Sequence, residues 1–222
     1  IDRTITAESE LQEGGNASEI LADITPWLEE QKKTWPPYYE YEFAGDQKDT
    51  AENMGSVAKY LPLAGFGILL LLMLQFNSYR KMTMVALTIP LALTGVAAGL
   101  LIFQQNFGFM PFLGVISLAG IIINNAIVLV DRIEVEQNKY QRTEKDSVIT
   151  ACLQRFRPIV LATATTVLGM IPLYLGGGPM WEGLAVVIMI GLLFGTIITL
   201  FFIPAFYSLV FKLNYKNYTY NV

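Results

Sequence analysis

The sequence predicts a mainly α-helical membrane protein, with five transmembrane helices preceded by a partial α+β subdomain. Three observations lead there. Of 222 residues, 53% are hydrophobic and 15% charged, where soluble domains carry about 25% charged residues. Five apolar stretches approach the ~20 residues that a helix needs to cross a ~30 Å hydrocarbon core. The first 59 residues differ: they hold thirteen acidic and five basic residues, a net charge of −8, and no long apolar run. The chain therefore divides into a water-exposed region over 1–46 and a membrane region over 47–222.

In the exterior region Thr4–Ala7 alternates Thr and Ile as a strand does, and Gly14-Gly15-Asn16 is a turn. Asn16 or Ser18 can cap a helix whose Ile20, Leu21, Ile24, Trp27 and Leu28 share roughly one face. Pro26 is expected to kink or restart it, and Pro36-Pro37 to end it. Tyr38–Ala44 alternates aromatic and acidic residues, a second strand. Strand–helix–strand is a piece of an α+β subdomain, and about forty residues are too few for a core of their own. Asp49 to Lys59 reads as a helix feeding the first span.

The spans follow. The first has its apolar core at Leu61–Phe76 and reaches back through Val57, with Lys59 snorkelling. The next three cover Met82–Phe103, Phe109–Val130 and Pro158–Leu175. The last runs from near Leu184 toward Phe211, with Pro204 expected to kink or end it. Between the third and fourth, Thr143 and Asp146 form a variant capping box. Val148, Ile149, Cys152, Leu153 and Phe156 then make one apolar stripe. An amphipathic helix on the inner membrane face, near 144–156, is expected, with the basic residues Arg155 and Arg157 at headgroup level.

Loop charges set the orientation. Arg80 and Lys81 occupy one loop. Arg132, Lys139, Arg142, Lys145, Arg155 and Arg157 occupy another, and Lys212 and Lys216 the tail. The alternate loops, Gln104–Gly108 and Gly176–Glu182, hold no Lys or Arg. The basic loops and the C-terminus are thus expected in the cytoplasm, and the acidic N-terminal region outside, in the periplasm. The chain begins at Ile1 without a signal peptide to carry that region across. It is expected to be the C-terminal part of a longer polypeptide; a split transporter is the alternative.

Several chemistries are excluded within the chain. With no His there is no His-based triad or His metal site. Cys152 stands alone, so there is no intrachain disulfide and no Cys-type zinc site. No catalytic residues, metal ligands or cofactor are identified, and a net charge of −4 argues against nucleic acid.

Polar residues at bilayer depth are costly and point to function. Ser117, Asn124 and Asp131 are spaced by seven on the third span, so each is offset by only ~20° around the helix from the last. Asn125 lies beside this stripe, and the fourth span adds Thr163, Thr165 and Thr166. The competing role is interhelical glue, which Asn, Ser and Thr often provide. Gly114, Ala119 and Gly120 suit close helix packing.

The stretch Gly120-Ile-Ile-Ile-Asn-Asn-Ala-Ile-Val-Leu-Val-Asp131 resembles the tenth transmembrane helix of resistance–nodulation–division (RND) exporters. Arg155-Phe-Arg-Pro-Ile-Val-Leu161, then Thr163, Gly169 and Ile171-Pro172-Leu173, is similar to their eleventh helix. Phe76-Asn77-Ser78-Tyr79 with Thr88-Ile89-Pro90-Leu91 resembles the junction of the eighth and ninth helices. Phe202-Ile203-Pro204-Ala205-Phe206-Tyr207 resembles the end of the twelfth, and Tyr41–Gly45 the closing strand of the last porter subdomain. The match covers nearly the whole chain in order, and the hydrophobe/amphiphile multidrug branch fits best.

The resemblance implies an inner-membrane permease that exchanges amphiphilic compounds for protons. It implies a homotrimer embedded in the lipid bilayer, working with a periplasmic adaptor and an outer-membrane channel. It also implies an N-terminal portion holding seven further spans and most of the drug-binding porter region. The family's relay pairs two aspartates of the fourth helix with a lysine of the tenth. Asn124 stands at the lysine position, a departure, because an amide can hydrogen-bond a carboxylate but not neutralise it. Asn125 and Asp131 fit the pattern, and Arg155 matches a basic residue at the entry of the eleventh helix. A relay threonine matches Ala162, with Thr163 next to it. Alternatives are a metal- or lipid-exporting RND branch, a non-transporting membrane scaffold, and, last, an intramembrane enzyme. A metal path would call for clustered methionines, and the eight here are dispersed.

Overall fold

The computed structural model describes residues 17–36, 39–41 and 46–213, and no strand occurs among them. Seven helices follow in order: α1 (Ala17–Lys32), α2 (Asp46–Phe76), α3 (Tyr79–Ala86), α4 (Thr88–Ile102), α5 (Phe109–Asn138), α6 (Glu144–Gly176) and α7 (Pro179–Val210). The chain separates into two compact units, 1–56 and 57–222.

In the first unit α1 forms where its apolar spacing places it, and it continues through Pro26. Its Ile20, Ile24 and Trp27 are exposed. After it, the Trp35 and Tyr41 rings meet in a T shape at a centroid distance of 6.0 Å, and the Lys32 ammonium lies over the Tyr41 ring at 5.7 Å. The expected strand at Thr4–Ala7 lies outside the described residues. Of the strand expected at Tyr38–Ala44, residues 39–41 have no regular structure and the others lie outside the description.

In the second unit five helical stretches are long and apolar enough to cross a membrane: Asn53–Phe76, Tyr79–Ile102, Phe109–Asn138, Glu144–Gly176 and Pro179–Val210. Each expected span falls on one of them; the second and the last overrun it by one residue at the C-terminal end. The boundaries differ in several ways. Helix α5 runs on to Asn138, past the expected end at Val130. The second span breaks at Leu87, where α3 gives way to α4. The segment near 144–156 and the fourth span are a single helix, because Pro158 falls inside α6 without interrupting it. Part of its apolar stripe therefore packs inward: Val148 and Cys152 join the core, while Leu153 and Phe156 stay exposed. Pro204 likewise does not end α7, which runs to Val210.

The spans alternate in direction, so the basic loops share one end of the bundle. Helix α7 is its most buried span. Close approach explains this. A side chain at Gly95 of α4 would overlap Phe194, and one at Gly195 would lie 2.6 Å from Ile122 of α5. The upper core joins Ala92, Val96, Leu118, Ile122, Val187 and Leu192. A second core at the basic end gathers Met84, Leu129, Ile133, Val148, Ile203 and Tyr207, among others. Helix α2 adds only Leu72 and Phe76 to it.

Candidate functional site

The heptad stripe of α5 is exposed where it is most polar. Ser117, Gly120 and Asn124 are exposed, and Asn125 and Asp131 half-buried. The opposite face carries Leu118, Ile122, Ala126, Leu129 and Ile133, all essentially buried against the bundle. The helix therefore buries its apolar side and presents an amide, a hydroxyl and a bare glycine outward at bilayer depth. A Cβ at Gly120 would meet nothing within 4 Å, whereas Gly114 packs directly on Val187. Of the small residues expected at a helix contact, Gly114 serves this bundle and Gly120 faces open space on the same exposed side as Asn124.

Thr163 does not join the stripe. It is buried on α6, and its hydroxyl lies 2.7 Å from that of Thr196 on α7. Thr165 and Thr166 instead donate to the Ala162 carbonyl at 2.9 and 3.0 Å. Arg155 is half-buried, and its Nε is buried with no hydrogen-bond partner among the described residues. Arg157 is exposed.

The most heavily paired group was not evident in the sequence. Glu136, just past the third span, is 1% exposed and forms ion pairs with Arg132 and with Arg142, the latter at 3.2 Å. Lys81 of α3 pairs with Glu134, and Gln137 donates to the Tyr207 hydroxyl of α7 at 3.0 Å. The only signal was a charged run, which ordinarily marks a solvated face. At the other end Gln105 donates to Glu182 at 3.2 Å, joining the α4–α5 loop to the start of α7. Among the described residues no group of three or more Asp, Glu, His or Cys comes together to hold a metal ion.

Five alternating apolar helices, long enough to cross a bilayer, define a multi-pass membrane protein. Residues 2–211 match the AcrB/AcrD/AcrF family, and the chain belongs to it and so to the RND transporters. An uncharacterized transporter of Haemophilus influenzae is 30% identical over 198 residues, 85% of this chain and 19% of that protein. Multidrug resistance protein MdtC of Pantoea ananatis is 30% identical over 181 residues, 80% of this chain and 18% of MdtC. A crystal structure of a heavy metal efflux pump superposes with a TM-score of 0.68 at 22% identity, covering 89% of this chain and 20% of the pump. That likeness is one of fold alone. The chain thus spans about a fifth of the length of these relatives. It is part of a multi-pass inner-membrane protein.

Proposed function

We propose that this chain is the C-terminal portion of a multidrug efflux permease driven by proton antiport, and that Asn124 faces carboxylates on helices it does not itself contain. The exposed amide of Asn124 carries this reading. An amide in mid-bilayer needs a partner, and lipid offers none. Ser117 and the open space at Gly120 let another helix approach closely at that level. The unpartnered Nε of Arg155 adds a second group in want of an acceptor. Similarity to MdtC supports drugs as cargo.

In the same reading the basic loops lie in the cytoplasm and residues 1–46 in the periplasm, as part of a porter subdomain completed by the rest of the protein. The transporter is a homotrimer served by a periplasmic adaptor and an outer-membrane channel. Asn124 hydrogen-bonds the relay carboxylates without neutralising them, so it tunes rather than balances their charge. Asn125 and Asp131 flank the path, while Thr163 is engaged with Thr196 of α7.

The deciding experiment is Asn124→Leu in the intact transporter. Proton-driven export should fall strongly while the amount of protein and its trimeric assembly stay close to wild type. Normal export by a fully expressed variant would rule the proposal out. Loss of export that merely tracks loss of folded protein would assign Asn124 to packing.

A further inference from the structure

The α5 helix runs two turns past Val130, the last residue of its continuous apolar run, and these turns are joined to α6 by two separate bridges. Both centre on Glu136. In one, Arg142 approaches the Glu136 carboxylate with Nε at 3.2 Å and donates from Nη1 to the Thr150 hydroxyl of α6 at 2.7 Å. The Arg142 backbone N–H also donates to the Glu136 carbonyl at 3.2 Å, which closes the α5–α6 loop onto the helix end. In the other, Arg132 pairs with the Glu136 carboxylate and donates from Nε to the Gln154 side-chain oxygen of α6 at 2.6 Å.

Thr150 and Gln154 lie one turn apart on α6, about 6 Å along its axis. Two anchors at that separation resist sliding and rotation together, whereas one would allow the helix to pivot. The carboxylate is 1% exposed. Removing it leaves both guanidiniums without their counter-charge, and removing one guanidinium leaves a buried charge less well compensated.

We infer that Glu136 is a positioning residue: through Arg132 and Arg142 it holds α6 in one register and rotation against α5. The clamp stands on this geometry alone. Its consequence for transport rests on the proposed function, because α5 carries Asn124 and α6 carries Arg155, the residue after Gln154. A fixed register keeps these two groups at a constant offset as the bundle moves.

Cys152 reports on the clamp. It is the chain's single cysteine, lies between the two anchors and packs against the core at the basic end. In membranes holding the intact transporter, the rate of maleimide attachment to Cys152 is followed by mass spectrometry of its peptide. Glu136→Gln should raise that rate by about tenfold, because the buried pairing is lost. Arg142→Gln should raise it in the same direction. The double variant should exceed the larger single effect little, since both changes break one unit. Glu134→Gln is the control: Glu134 pairs with Lys81 of α3, and the rate should stay at the wild-type value.

Where Glu136→Gln does not accumulate, Arg142→Gln carries the test, because that side chain is 41% exposed. Turnover of export should fall in both variants with the apparent KM for the exported compound unchanged. Wild-type labelling in both single variants would overturn the clamp. So would an equal rise in Glu134→Gln, or additive effects in the double variant. Labelling is read in the resting protein, so a failure of the export reading leaves this test intact.

Discussion

Six threonines and two glycines show how membrane-depth residues of one type take different roles. Thr94, Thr165, Thr166 and Thr199 each donate to a carbonyl of their own helix, at 2.6 to 3.0 Å. Thr163 and Thr196 instead meet across α6 and α7 at 2.7 Å. Thr163→Val removes that bond but leaves Thr196 free to turn back on its own helix. The loss should therefore be about 1 kcal/mol, and adding Thr196→Val should cost little more, because no partner is then stranded. Thermal unfolding of the four proteins of this cycle in detergent measures it. Among the glycines, a Cβ at Gly191 would overlap Leu118 and lie 2.9 Å from Val96. Gly191→Ala should destabilise by roughly 1–3 kcal/mol, the usual result of overpacking. Gly120→Ala meets nothing within 4 Å among the described residues. A cost in the intact transporter would point to packing outside these described residues, so comparing the two variants separates the two kinds of packing.

Helix α6 was read in the sequence as two pieces and is one. Its start was legible because capping chemistry is local. The Thr143 hydroxyl accepts from the Asp146 N–H at 3.3 Å and donates to the Asp146 carboxylate at 2.6 Å. Thr143→Ala should cost about 1 kcal/mol, seen as faster amide exchange over residues 144–148 with the rest of α6 unaffected. Its continuity through Pro158 was not legible. A proline removes one backbone hydrogen bond and favours a break, and membrane helices tolerate this where neighbouring groups compensate. Ile159 and Thr163 are buried just beyond it, so packing holds the helix across the proline. The same holds in α7, where Ile203 and Tyr207 are buried on either side of Pro204. The opposite happened at Leu87. Two residues interrupt the apolar run there: Thr88, and Pro90, which has no N–H to donate to the Ala86 carbonyl four residues back, where α3 ends.

At the scale of the whole bundle the large exposed side chains and the small polar ones occupy different surfaces. Leu153, Leu161, Leu168 and Leu175 of α6 are exposed, as are Leu101 and Ile102 of α4. These suit lipid. Ser117, Gly120 and Asn124 of α5 suit another helix. The asymmetry of basic loops predicts the orientation. A cysteine at Tyr140, which is exposed, should react with an impermeant thiol reagent only when the cytoplasmic side is opened. Labelling of that site in sealed cells would reverse the topology.

The sequence by itself determined the number and order of the spans, the acidic character of the first region, the cap of α6 and the seven-residue stripe of α5. All of these are local quantities. Run length measures a helix against the bilayer, and residue spacing assigns a face relative to the helix's own axis. Tertiary structure decided which way each face points. The rotation of α5 is set by neighbours such as Val187 at Gly114 and α7's Gly195 beneath Ile122, remote in the chain. Thr163 therefore found Thr196, 33 residues away, rather than Asn124. The run from Arg132 to Gln137, counted in the sequence as part of a basic loop, is the junction of α3, α6 and α7, because charges lose their water only when distant partners are brought to them.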